Sequence, residues 1–256
     1  LERAADGFAN LDPRREAECR IQIGLVQVGH GAVDLGEATL NAAWQALHDL
    51  GDSAGAATAQ LGLAGVARTR GDQVAAIRHI EGARVRFEEA GVRHRVASCA
   101  LELGDVSRDL GELDRAAQSY GEAIERFASL DSADVHVARA RLALVMTAQG
   151  RAEHARALLL DCRHRFERAG HRQLLGMAEA ALAECAARQL DWGPCRVHLN
   201  AAEAVLRETS TFDKDAADCA ARVAELAELS GAPELAHQAR ALSSWQASAW
   251  ARRPDP

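Results

Sequence analysis

The chain has 256 residues, 48% apolar and 26% charged, enough for a substantial buried core and too apolar for a disordered segment. Its formal charge is −7 and Lys214 is its only lysine, so the totals do not support a basic nucleic-acid surface, and lysine chemistry has one candidate. The longest uncharged run, residues 53–67, is too short and too rich in Ala and Gly to span a bilayer, and no basic-then-apolar leader opens the chain, so a cytoplasmic protein is expected.

Residues 1–12, LERAADGFANLD, align with GEAIERFASLD at 121–131 and read as the second half of a hairpin, as in an excerpt from a longer polypeptide. First helices are then predicted over 14–29, 54–69, 93–109, 134–148, 173–189 and 214–229. Second helices are predicted over 34–49, 73–89, 113–129, 152–169, 194–208 and 233–250. Pro13, Pro194 and Pro233 all fall in the first turn of one of these helices, where a missing N–H costs little. Asp12, Asp52 or Ser53, and Asp131 or Ser132 stand at N-cap positions, where a side-chain oxygen can accept from first-turn amides. The tail, 251–256, follows a helix whose Trp245 and Trp250 either close the core or meet another chain.

The boundaries belong to a repeat. Corners at Gly31, Gly71, Gly111, Gly150, Leu190 and Gly231 are separated by 40, 40, 39, 40 and 41 residues. Seven residues before each stands Gly24, Ala64, Gly104, Ala143, Ala183 or Ala224, preceded by Ile23, Leu63, Leu103, Leu142, Leu182 or Val223. Five residues after each stands Gly36, Ala76, Ala116, Ala155, Cys195 or Ala236. Four further on comes Leu40, Ile80, Tyr120, Leu159 or Leu199, with Arg240 departing in the last copy. Small side chains at matched places let two helices approach closely, and a glycine provides the corner between them.

This order of columns resembles the tetratricopeptide repeat (TPR), with residues 97–130 the best copy through Leu103, Gly104, Gly111, Ala116, Tyr120 and Ala123. The period of about 40 instead of the family's usual 34 is similar to long copies in sensor arrays of bacterial signalling proteins. The resemblance implies an all-α fold, a right-handed α-α superhelix of about six helical hairpins. One solenoid domain would cover 1–256, with repeats at 14–50, 54–90, 93–130, 134–170, 173–210 and 214–250.

The resemblance also implies a concave groove lined by the first helices. Carrying its groove positions onto this chain gives Arg68 and Thr69 in repeat two, Asp105, Arg108 and Asp109 in repeat three, and Leu144 and Thr147 in repeat four. Glu184 and Arg188 follow in repeat five, and Glu225 and Glu228 in repeat six. Arg68 and Arg108 could meet acidic groups of a ligand while Asp105 and Asp109 hold its amides or cations; equally, these charges could pair with one another. The lysine and asparagine clamp of chaperone-binding relatives is missing. A second candidate face is the stretch 139–172, with eight arginines and three acids.

Catalytic and cofactor motifs are absent. No phosphate-binding loop, dinucleotide fingerprint, nucleophile elbow or zinc-helix signature occurs, and DKDAAD at 213–218 lacks the glycine and distal glutamate of a calcium loop. Cys162, His164 and His171 could be drafted as metal ligands, but two-residue spacing on a helix points the first pair to different sides. Cys19, Cys99 and Cys219 share a column with Ala59, Ala138 and Ala178, which suits small packing residues. The expectation is a non-catalytic scaffold without cofactor or metal. Its partner would be a protein or peptide segment or a neighbouring domain of the same polypeptide, with neither nucleic acid nor membrane. It would be the interaction region of a larger regulatory protein, or alternatively a receptor domain for a peptide pheromone.

Overall fold

The computed structural model describes residues 12–209 and 213–251. Among them are twelve helices and no strand: α1 Pro13–Gly29, α2 Val33–Asp49, α3 Ser53–Thr69, α4 Gln73–Glu89, α5 Arg93–Asp109, α6 Leu113–Ala128, α7 Val135–Ala148, α8 Ala152–Ala169, α9 Arg172–Arg188, α10 Trp192–Thr209, α11 Lys214–Leu229 and α12 Pro233–Ala251. The boundaries agree with the repeat to within two residues. Residues 1–11, which carry most of the half-hairpin reading, lie outside the described residues. No described helix is long and apolar enough to cross a membrane.

The chain divides into two compact units, one ending at Ser132 and the next beginning at Ala133. In the first, α1 pairs with α2, α3 with α4 and α5 with α6, and each new hairpin seats its first helix on the preceding second helix. In the second, α7 pairs with α8, α9 with α10 and α11 with α12; α9 also packs on α8, and α11 on α9.

A single corner geometry explains the near-constant helix length. Gly51 has φ +70° and donates to His48 O at 3.0 Å, while Asp52 N donates to Leu47 O at 2.9 Å. That pair of bonds satisfies the last carbonyls of α2. The side chain of Asp52 then accepts from Gly55 N at 2.9 Å, so one residue ends α2 and caps α3. Gly71 and Asp72 repeat the arrangement between α3 and α4. Left-handed glycines at 31, 51, 71, 91 and 111 thus recur every 20 residues, once per helix instead of once per hairpin. Asp131 (φ 52°) and Leu190 (φ 59°) take the same conformation without being glycine. Leu190, 60% exposed, is therefore a corner with a backbone cost and no packing return.

One local expectation is corrected, and the departure at Arg240 is explained. Neither Asp131 nor Ser132 caps α7: Asp131 supplies the left-handed turn, and the helix starts later, at Val135 behind Asp134. Arg240 is exposed and pairs with Glu228, while Leu235, Ala239 and Leu242 are buried. The buried face of α12 lies one residue earlier than in the other second helices, which is why a charged side chain fills the repeat's apolar column.

The cores are the repeat columns made solid. Leu40, Ile80, Tyr120, Leu159 and Leu199 are wholly buried, each worth about 2 kcal/mol of transfer free energy. Their small partners are sized to match. A Cβ on Gly24 would come within 2.7 Å of Leu40 Cγ, and one on Gly104 within 2.5 Å of the Tyr120 ring. Trp245 packs against the second unit's core with the Arg207 guanidinium 5.0 Å from its ring centre. The side chain of Trp250 lies outside the described residues.

Candidate functional site

The groove residues carried over from the repeat divide into two very different settings. In the first unit, Arg68 reaches from α3 to three carboxylates of α5: Glu102 at 3.1 Å, Asp105 at 3.7 Å and Asp109 at 3.0 Å. Arg108 stands 3.9 Å from Asp105, which is buried and accepts a 2.5 Å hydrogen bond from the Tyr120 hydroxyl. Burial works against the Arg68 charge, yet Asp105, Glu102 and Asp109 together hold its pKa above the ordinary value. Arg68, Asp105, Arg108 and Asp109 are thus gathered, as one ion network fastening hairpin two to hairpin three. Glu102, absent from the sequence-based set, belongs to it. Thr69 is exposed and donates to Gly65 O.

In the second unit the corresponding face is closed. Every residue of α9 from Leu175 to Ala187 is buried, with α7, α8, α10 and α11 packed around it. Ala140, Ala143, Ala180, Ala183 and Ala187 are so small that the neighbouring first helices come down onto α9. Leu144 and Thr147 are buried there, and Thr147 donates to Ala143 O. Glu184 is buried beneath two guanidinium groups, Arg188 and Arg222, each at 2.8 Å. Glu179, equally buried, accepts from Arg163 at 2.6 Å and meets His198 at 2.7 Å. Burial would raise the Glu179 carboxyl, but those two partners bring it below the usual carboxylate range. Arg188, Glu225 and Glu228 remain exposed on the rim.

The basic stretch 139–172 loses most of its distinctness in three dimensions. Arg139 and Arg165 face Asp161, Arg141 faces Asp215, Arg163 faces Glu179 and Arg172 faces Glu208. Cysteine chemistry is similarly subdued. All six thiols are free, and burial pushes Cys99 and Cys162 up to about 12 and Cys185 and Cys195 up to about 11. Cys162 lies 3.4 Å from the His136 carbonyl, and no group of three potential metal-ligating side chains occurs among the described residues.

An open surface remains on the inner face of the first unit, while in the second a pocket of about 560 Å³ opens beyond the closed stretch of α9, beside Glu153, Arg188 and Leu226. A pocket of about 490 Å³ lies between α1, α3 and α5, lined in part by Arg14, Gln22, Thr58, Phe87 and Arg95. On α3 the same face continues past Thr58 to Leu61, Gly65 and Arg68, at helical three- and four-residue steps. Gly65 is unusual. A Cβ there would meet nothing within 4 Å, whereas those on Gly24, Gly36, Gly62, Gly82, Gly104 and Gly176 would strike a neighbour. A glycine inside a helix costs about 1 kcal/mol relative to alanine, and here packing does not require it.

No protein-family model matches the chain, and no curated protein matches it in sequence. Solved structures do match in fold. The apo form of RapI shares 14% identity over 95% of this chain and 88% of its own, with a TM-score of 0.76. The Rap conjugation gene regulator of plasmid pLS20, solved with the Phr* peptide, shares 16% over 98% of this chain and 68% of its own, with a TM-score of 0.81. A putative kinesin light chain of Podosopora anserina with nearly identical TPR-like repeats shares 14% over 77% of this chain and 97% of its own, with a TM-score of 0.58. What these proteins hold in common with the chain is its architecture: an all-α, TPR-like solenoid of helical hairpins.

Proposed function

We propose that the chain is a non-catalytic scaffold that captures a peptide or an extended protein segment on the inner face of its first unit. The observation that carries this reading is the contrast between the two units. In the first, a pocket and a glycine-floored surface remain open along α3; in the second, the same face is filled by small side chains and buried ion pairs. Concave surfaces lined by several helices with a few polar groups are where repeat proteins engage extended partners. The similar Rap regulator of pLS20 was solved with a peptide, which supports the same class of ligand here.

A role as the interaction region of a larger bacterial regulatory protein fits such a scaffold, as does that of a peptide-pheromone receptor domain. In either, the protein acts by shape and charge complementarity and performs no bond chemistry. The test is selection from a displayed library of linear peptides on the immobilised chain. Enrichment of sequences that still bind as free synthetic peptides supports the reading. Failure to enrich any linear sequence, while folded proteins are retained, contradicts it.

A further inference from the structure

We infer that the groove along α3 accepts an extended peptide of about six residues, with an acidic side chain meeting Arg95 and a bulky apolar side chain seated over Gly65. This rests on the peptide-binding reading above and specifies its ligand. From Ala54 at the pocket to Arg68 is 14 residues of helix, or about 21 Å at 1.5 Å per residue. An extended strand advances about 3.3 Å per residue, so about six residues span the distance.

The two ends of the groove differ in chemistry. At the pocket end, Arg95 is exposed and makes no ion pair among the described residues, whereas Arg14 opposite it is committed to Asp52 at 2.6 Å. A guanidinium with its fork available is a carboxylate receptor, whereas the hydroxyl of Thr58, which lines the same pocket, already donates to Ala54 O at 3.0 Å. Toward the other end, short of the Arg68 ion network with Glu102, Asp105 and Asp109, the surface around Leu61 is apolar. Leu61 precedes Gly65 by one turn, and Leu25 of α1, 41% exposed, lies 3.3 Å from where a Cβ of Gly62 would stand. Gly65 itself, between Leu61 and Arg68 along the helix, leaves open space where a Cβ would meet nothing within 4 Å. A large apolar side chain of the ligand can occupy the space that a Cβ-bearing residue would take.

The probe is a fluorescent positional library of hexapeptides with acetylated N-termini and amidated C-termini, so that a terminal carboxylate cannot substitute for a side chain. Anisotropy with the full chain is expected to favour Asp or Glu at one end together with Leu, Phe or Trp four or five residues away. Gly65→Leu should weaken the preferred peptides at least tenfold and remove the apolar preference. Arg95→Glu should shift the preference at the acidic position to Lys or Arg. Both positions face open space, so melting curves should show both variants folded. Peptides that bind with the same affinity and preference to both variants would overturn the inference while leaving the scaffold reading intact. If no peptide of any composition binds the native chain at millimolar concentration, both fall.

Discussion

The Tyr120 hydroxyl lies 2.5 Å from Asp105 Oδ1, and its ring lies directly over Gly104, one residue before that aspartate. Four other repeats place Leu or Ile where Tyr120 stands, and Ala serves as the small partner beneath Ile80, Leu159 and Leu199. The larger ring needs the smaller floor, and its hydroxyl gives the buried carboxylate a donor. Tyr120→Phe is therefore expected to cost about 2 kcal/mol, the value of a hydrogen bond to a charged group. Thermal melts should fall by about 5 °C. Gly104→Ala should cost about 1–3 kcal/mol by overpacking, since its Cβ meets a ring with no space to move.

Arg68 tests whether the ion network holds two hairpins together. Its loss would leave Glu102, Asp105 and Asp109 facing one another on α5 without the α3 cation. Arg68→Ala should destabilise by about 1–3 kcal/mol, with Asp105 the most deeply buried of the three. Arg68→Glu should be worse. Urea unfolding at two salt concentrations checks this: the share of the penalty due to buried Asp105 should persist in high salt, while the share due to the more exposed Glu102 should be screened.

Leu190 supplies a prediction in the stabilising direction. Its φ of 59° is one that glycine adopts without penalty, and its side chain is 60% exposed. Leu190→Gly should stabilise by about 0.5–1 kcal/mol, because relief of backbone strain exceeds the added freedom of the unfolded chain. Gly111→Ala, at φ 75°, should lose about 1 kcal/mol. Paired melting curves of the two substitutions should move in opposite directions.

Asp213 gives a pH-dependent case. Its side chain caps α11 through Ala216 N at 2.9 Å, but burial and the neighbouring Asp215 push its carboxyl above the usual range, against the pull of Ala216 N–H, Gln173 and Arg141. A carboxyl with a raised folded-state pKa favours folding most below its unfolded pKa, and loses that contribution as pH rises through the folded value. Asp213→Asn keeps a capping oxygen and removes the charge. It should stabilise at pH 7 by about 1 kcal/mol or less, with the advantage disappearing as pH drops below about 4. An advantage that grew on acidification would contradict the cause assigned.

Much of the architecture was legible because the corner glycines and small columns act locally, one hairpin at a time. The finer 20-residue recurrence is also in the sequence, in Gly51, Gly91 and Gly170, but a 40-residue period registers only the glycine within each hairpin and not the one between hairpins. Other features depend on how helices are seated. Arg68 meets residues 34 to 41 positions away, so whether those charges face a ligand or one another is decided by the register between α3 and α5. Burial of Glu184 reflects how closely α11 approaches α9, which an alanine-rich sequence permits without specifying. Gly65 looked like any other small residue until its surroundings showed that nothing packs there.

The central claim, that ligands are taken on the inner face along α3, is tested most directly by two matched substitutions. Gly65 and Gly121 are both helical glycines with open space around a Cβ, the first on α3's inner face and the second on the second helix α6. Peptides selected on the native chain should lose at least tenfold in affinity for Gly65→Trp and bind Gly121→Trp unchanged, as measured by fluorescence anisotropy. Equal binding to both variants, or a loss confined to Gly121→Trp, would place the site elsewhere and contradict the account.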